Sequence, residues 1–232
     1  MNFESLLIRA RLDNPQLKAN VCPDSELQKV INQGAQEVAR LTGCLKNNVK
    51  FDADTGINRY DITTIDTLKD EYLEIDKTPM LFREDSDSDY LPLIPKSRKW
   101  LDEYHPSWLN NDSGTPVYYF DEAPYIYTDR GPTSDVTDGF WIFYIKKPTP
   151  MKQMSNFPFG SSSELPQFER LSDSILLYVN WKTLPFLGKR DDFKLAENAF
   201  YKDAASKETF FNRRLDIKYD RRARFTGPKI RG

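Results

Sequence analysis

The feature that most constrains this chain is a change of hydrophobic period along its length, helical at both ends and alternating in between. Leu27, Val30, Ile31, Gly34, Ala35, Val38, Leu41, Thr42 and Leu45 recur at the spacing of one amphipathic helical stripe. Ser25 and Gln28 read as a capping box at its start, and Gly43 reads as its stop. A shorter stripe of Phe3, Leu6, Leu7 and Ala10 precedes it and ends at Asn14–Pro15. Near the other end, Phe168, Leu171, Ile175, Tyr178 and Val179 form a stripe broken by Pro185 and Gly188. Asp191 or Asp192 then caps a last helix carrying Phe193, Ala196, Phe200, Ala204, Phe211 and Leu215.

Between these ends the apolar residues alternate, as strands with one buried face do: Val49 and Phe51, Tyr60 and Ile62, Leu73 and Ile75. Asp54–Thr55–Gly56 is a turn signal, so the spacing predicts a hairpin over 49–62. A short helix is expected around Ser97 to Tyr104. The run Phe140–Trp141–Ile142–Phe143–Tyr144–Ile145 is apolar on both faces, which fits either a strand sandwiched inside the β region or one covered by another subunit. Pro148 to Pro166 reads as an extended return segment. The whole predicts an α+β fold: a helical bundle from the N- and C-terminal segments, an inserted β-rich domain and an extended basic C-terminal tail. The expected parts are 1–46 and 165–215 in the bundle, 47–164 in the insertion and 216–232 as a flexible arm.

Chemistry-bearing patterns are sparse. One histidine, His105, excludes multi-histidine metal centres, and no Gly-x-Ser-x-Gly elbow accompanies it. Asp85–Ser86–Asp87–Ser88–Asp89 opens like a calcium loop, but Tyr90 stands where the turn needs glycine and Lys96 where the bidentate glutamate belongs. Gly188–Lys189–Arg190 lacks the other residues of a phosphate-binding loop. A helix between Cys22 and Cys44 holds them roughly 30 Å apart, too far for a disulfide. The expectation is no catalytic residue, no metal and no cofactor. The apolar run Phe140–Ile145 is far shorter than the roughly 20 residues that span a bilayer, and the N-terminus lacks a basic, then apolar leader. A protein made in a cytoplasm with no membrane contact is expected.

The charge distribution is uneven. Residues 213–232 hold Arg213, Arg214, Lys218, Arg221, Arg222, Arg224, Lys229 and Arg231 against Asp216 and Asp220, a net +6 in a chain of net charge −2. The rest is therefore mildly acidic. Three readings fit such a tail: a solubilising extension, a nucleic-acid contact, or a docking arm for an acidic protein surface. Tyr219, Phe225 and Ile230 among the arginines favour a groove, because phosphate contacts need no apolar anchors.

The order of these features resembles the head-to-tail adaptor proteins of tailed bacteriophages. Arg9–Ala10–Arg11–Leu12–Asp13, Ser25–Glu26–Leu27 opening a helix with Ile31–Asn32–Gln33, Gly114–Thr115–Pro116–Val117–Tyr118–Tyr119, the Trp141 to Tyr144 strand and Pro148–Thr149–Pro150 carry the resemblance. It implies a structural virion protein at the head–tail junction, made in the host cytoplasm. Twelve copies would form a ring under the portal, join it to tail or further ring proteins, and surround a DNA channel where genomic DNA passes. It implies a portal-docking arm of Arg213, Arg214, Lys218, Tyr219, Arg221, Arg222, Arg224, Phe225, Lys229, Ile230 and Arg231, and a subunit or tail interface at Trp141, Phe143 and Ile145. Two alternatives stand beside it: a ligand- or carbohydrate-binding β module using Tyr118, Tyr119, Tyr125, Tyr127 and Trp141, and a DNA-binding protein acting through its basic tail.

Overall fold

The structure, a computed structural model, describes residues 1–110, 112–160, 166–189 and 191–223, the last stretch as backbone alone from 210 onward. The chain divides into two compact units, Met1–Leu45 with Pro148–Gly232, and Lys46–Lys147.

In the first unit, helix α1 (Phe3–Asp13) is capped by Asn2, whose side chain accepts the Ser5 N–H at 2.9 Å, and it buries Phe3, Leu6 and Ala10. Helix α2 (Asp24–Thr42) starts two residues earlier than the predicted capping box requires, and no side chain caps it. Gln28 turns instead to the returning chain and donates to the Met151 carbonyl at 2.7 Å. Asn32 clamps the same residue, accepting the Met151 N–H at 2.8 Å and donating to its carbonyl at 3.3 Å. Gly43 closes α2 at φ 59°, a left-handed conformation that glycine adopts without a Cβ penalty.

After the single turn α4 (Pro166–Glu169), helix α5 (Leu171–Thr183) buries Leu171, Ile175, Val179 and Trp181 and packs against α2. The approach is close at Gly34, where a Cβ would sit 3.0 Å from the Tyr178 ring. Helix α6 (Phe193–Ala223) adds Phe200, whose ring centroid lies 5.3 Å from Tyr178 and 5.9 Å from Trp181.

The second unit holds nine strands in two sheets. One contains β1 (Lys46–Ala53), β9 (Val136–Lys146), β4 (Leu81–Phe82) and β5 (Leu91–Pro92) in that order, with β3 (Tyr72–Ile75) also on β9. The other runs β2 (Arg59–Asp61), β8 (Tyr125–Thr128), β7 (Tyr118–Glu122), β6 (Ile94–Pro95). Their inner faces share one core, in which Phe51, Phe82, Phe140 and Ile142 from the first sheet meet Tyr60, Tyr119 and Ile126 from the second. Helix α3 (Arg98–Tyr104) and the following turn cover the second sheet's other face, packing Leu101 and Trp108 on Phe120.

Three expectations are corrected. The chain is a mixed α+β protein with about 41% helix and 22% strand, and the terminal segments do not form a helical bundle. Their helices differ too much in length, 11, 19, 13 and 31 residues for α1, α2, α5 and α6, to share a continuous seam. The non-helical return segment fills the difference by burying Met151 and Phe159 in the same core. The hairpin over 49–62 does not form either. Gly56 makes the turn at φ 71°, but the chain there leaves one sheet for the other: β1 pairs with β9 and β2 with β8. Finally, α6 continues through Ala223, so residues 216–223 of the tail expected to be extended have helical backbone. Nothing between Phe193 and Ala223 is glycine or proline, and the first such break is Gly227–Pro228.

Candidate assembly surfaces

The basic arm divides at the end of α6. Arg213, Arg214, Lys218, Tyr219, Arg221 and Arg222 fall on the helix, whereas Arg224, Phe225, Lys229, Ile230 and Arg231 lie outside the described residues. The helix is fastened near its middle: the Ser174 hydroxyl donates to Asp203 at 2.6 Å, and the Lys207 ammonium donates to Asp203 and Ser174 at 2.8 Å each and to the Arg170 carbonyl at 2.6 Å. Sequence reasoning missed this junction. Its one local signal is the i, i+4 pair Asp203–Lys207; Ser174 comes from a segment far away in the chain.

The doubly apolar strand is β9. Phe140, Ile142 and Tyr144 point inward with no exposed surface, which accounts for one apolar face. On the other, Trp141 and Phe143 are half-buried, with ring centroids 5.1 Å apart, and Ile145 is buried at 5% exposure. Trp141 donates its indole N–H to Asn48 at 3.1 Å, and the Lys50 ammonium lies 4.9 Å from its ring centroid. Tyr90 meets it edge-on at 5.4 Å. Two of the three expected interface residues thus keep surface to offer.

The aromatic residues of the carbohydrate reading do not share a face. Trp141 belongs to the first sheet, and Tyr118, Tyr119, Tyr125 and Tyr127 to the second. Tyr119 is buried, Tyr127 stacks on Phe120 at 4.6 Å, and Tyr125 lies beneath the Arg59 guanidinium at 4.9 Å. His105 packs between Trp100 and Tyr118, with centroids 5.2 and 5.0 Å away. Asp85 of the acidic run accepts the N–H groups of Asp87 and Ser88 at 2.9 and 2.7 Å, a local turn. Hydrogen bonds to Ser88 and Asp87 hold its carboxyl below the usual carboxylate range. Among the described residues no group of three or more His, Cys, Asp or Glu is arranged to hold a metal ion. None of their helices is long and apolar enough to cross a membrane.

Each unit has its own core, the central strand β9 keeps half-buried aromatics on one face, and a basic run closes the chain, and none of these is a catalytic arrangement. The chain belongs to the SU10 adaptor protein family, whose sequence model matches residues 1–232 in full. No curated protein was found to match it.

Proposed function

We propose that this protein forms a ring under the portal of a tailed phage and joins it to the tail, twelve copies surrounding the channel through which DNA passes. Membership of the adaptor family over the whole chain supports this reading and supports a structural, non-enzymatic role in the virion. In the proposal the distal part of α6 and the residues after it, Arg213 to Arg231, are the arm that docks on the portal. Its net +6 meets an acidic groove, and Tyr219, Phe225 and Ile230 anchor it there. Trp141 and Phe143 cover a neighbouring copy or a tail protein, with Ile145 supporting them from the interior.

The test is sedimentation of the purified chain alone and with the portal protein encoded by the same genome. A portal-sized complex that is lost on deleting residues 213–232 is the expected result. A 27.1 kDa monomer that ignores the portal overturns the reading.

A further inference from the structure

The outer face of the second sheet holds a cavity of about 450 Å³, lined by Ile57, Arg59, Arg98, Trp108, Leu109 and Tyr127. Its floor is fixed. Tyr127 stacks on Phe120 at 4.6 Å, Trp108 meets Tyr127 edge-on at 5.8 Å, and the buried Asn58 amide donates to the Trp108 carbonyl at 2.6 Å. Arg59 lies opposite Tyr127 in the register, and strand alternation turns it away from the core that its neighbour Tyr60 enters. Its guanidinium rests on the Tyr125 ring and forms no ion pair or hydrogen bond among the described residues. Asp61, two residues on, accepts instead from the Thr63 hydroxyl and N–H at 2.7 and 2.8 Å. Arg98 gives an N–H to Glu122 at 2.9 Å in a pair that is exposed on both sides, a weak kind that leaves its other donors open.

The complement of this pocket is the loop between β4 and β5. Glu84, Asp85, Asp87 and Asp89 fall within six residues there, and no other six residues of the chain hold four carboxylates. Asp85 holds the turn together and Glu84 accepts the Thr115 hydroxyl. The Asp87 and Asp89 carboxylates are exposed and engage no cation or donor among the described residues. Leu91, exposed at 56%, follows them, as the exposed Ile57 and Leu109 flank the arginines. We propose that the acidic loop of one copy enters the arginine pocket of the next, Asp87 and Asp89 meeting Arg59 and Arg98 while Leu91 covers Ile57 and Leu109. The proposal rests on the ring reading above and names a contact between neighbouring copies.

Both halves of this complementarity are unspent within the copy, and every added copy brings both. Carboxylates elsewhere are committed internally, Glu71 to Lys146, Asp76 to Lys46 and Asp203 to Lys207. The basic run 213–232 has the pocket's own sign and is repelled by it. Loop and pocket belong to different sheets, and the pocket opens on the face turned away from the first sheet, so the loop of another copy has the freer approach. A patch and its complement at different places on one molecule make a head-to-tail contact, the kind that closes rings, whereas a two-fold dimer uses one self-complementary patch.

Charge reversal in the full chain, assembled with portal and followed by sedimentation, tests the contact. One variant reverses the pocket, Arg59→Glu with Arg98→Glu, and another reverses the loop, Asp87→Arg with Asp89→Arg. All four residues are exposed, and circular dichroism checks that each variant folds. Each variant alone should weaken ring formation about tenfold or more. Ring formation should return when both reversals are combined in one chain, and also when the two variants are mixed, because alternating copies then join opposite charges at every contact. Normal assembly by either variant alone would overturn the proposal and leave the ring reading intact. Rescue in the combined chain but not in the mixture would mean that the loop meets its own pocket, and would overturn it too. Loss of rings with no rescue in either form would assign the pocket to a different acidic partner and overturn the pairing. Absence of any oligomer from the unaltered chain would overturn both readings.

Discussion

Replacing Phe140 by alanine separates the two faces of β9. Phe140 has no exposed surface, and its ring lies 5.3 Å from Phe51, 5.0 Å from Tyr60 and 5.1 Å from Phe82 by centroid. Buried Phe→Ala substitutions cost about 3–5 kcal/mol, from lost transfer energy and the cavity left behind. Three aromatic neighbours, each pair worth about 0.5–1.5 kcal/mol beyond area, place this one near the upper end. A domain is stable by about 5–15 kcal/mol, so most of the unit's stability would go. Phe143, three residues along on the outer face and half-buried, should cost about 1 kcal/mol as alanine. Trp100, Trp108 and Trp141 lie in this unit and Trp181 in the other, so urea unfolding followed by fluorescence in a Trp181→Phe background reports the β unit alone. A loss below about 2 kcal/mol for Phe140→Ala, or equal losses at both positions, would refute the assignment of the faces.

Trp181→Phe should itself cost about 1 kcal/mol or less, because the buried indole N–H has no acceptor among the described residues and its removal strands no partner there; a loss above about 2 kcal/mol in thermal melts would show that it has one. Asn32→Ala removes both bonds to the Met151 backbone and should destabilise the helical unit by about 1–3 kcal/mol, with a change under about 0.5 kcal/mol in helical circular dichroism melts refuting the clamp. Burial pushes the Cys44 thiol up to about 12 from its ordinary 9.0, although the residue as a whole is half-buried. Above pH 9 the unfolded chain loses this proton and the folded chain keeps it, so stability falls as pH rises toward 12. Cys44→Ala should flatten that decline in urea midpoints, and an unchanged slope would refute the burial argument. Burial raises Tyr60 and Tyr72 in the same direction, leaving a residual slope in the variant.

The helices were legible where one physical cause acted locally. The stripe from Leu27 to Leu45 and the glycine stop at Gly43 needed no knowledge of distant residues, and both elements appear. Misreadings arose where the deciding partner was far away in sequence. Asp54–Thr55–Gly56 has the chemistry of a tight turn whether it joins strands of one sheet or passes between two, and only β9, some ninety residues on, takes β1 from β2. Ser25 and Gln28 fit a capping box, yet Gln28 bonds the carbonyl of Met151. The same carbonyl explains why no simple helical bundle forms: polar groups of α2 are committed to an extended segment that packs among the helices. At the candidate surfaces, composition exposed the basic run, while the separation of β9 into an inner and an outer face became visible once strand order was known.

Strand register also says how the chain accommodates so large an insertion. Lys46, where the β unit begins, lies opposite Ile145, two residues before it ends at Lys147. Neighbouring strands are about 4.8 Å apart, so entry and exit are close together and the helical unit is interrupted by a gap that a few residues span. The β unit is one contiguous segment with its own core, whereas the helical core draws Leu27 and Ile31 from one side of the interruption and Leu171 and Phe200 from the other. Residues 46–147 should therefore fold alone, and a chain with them replaced by a short glycine–serine linker should keep the helical unit. Near-UV circular dichroism of the excised segment and portal binding by the linker chain check the two halves separately. A linker chain that folds and binds portal without forming rings would place docking in the helices and lateral contact in the sheet. A linker chain that both binds and closes a ring would remove the β unit from assembly.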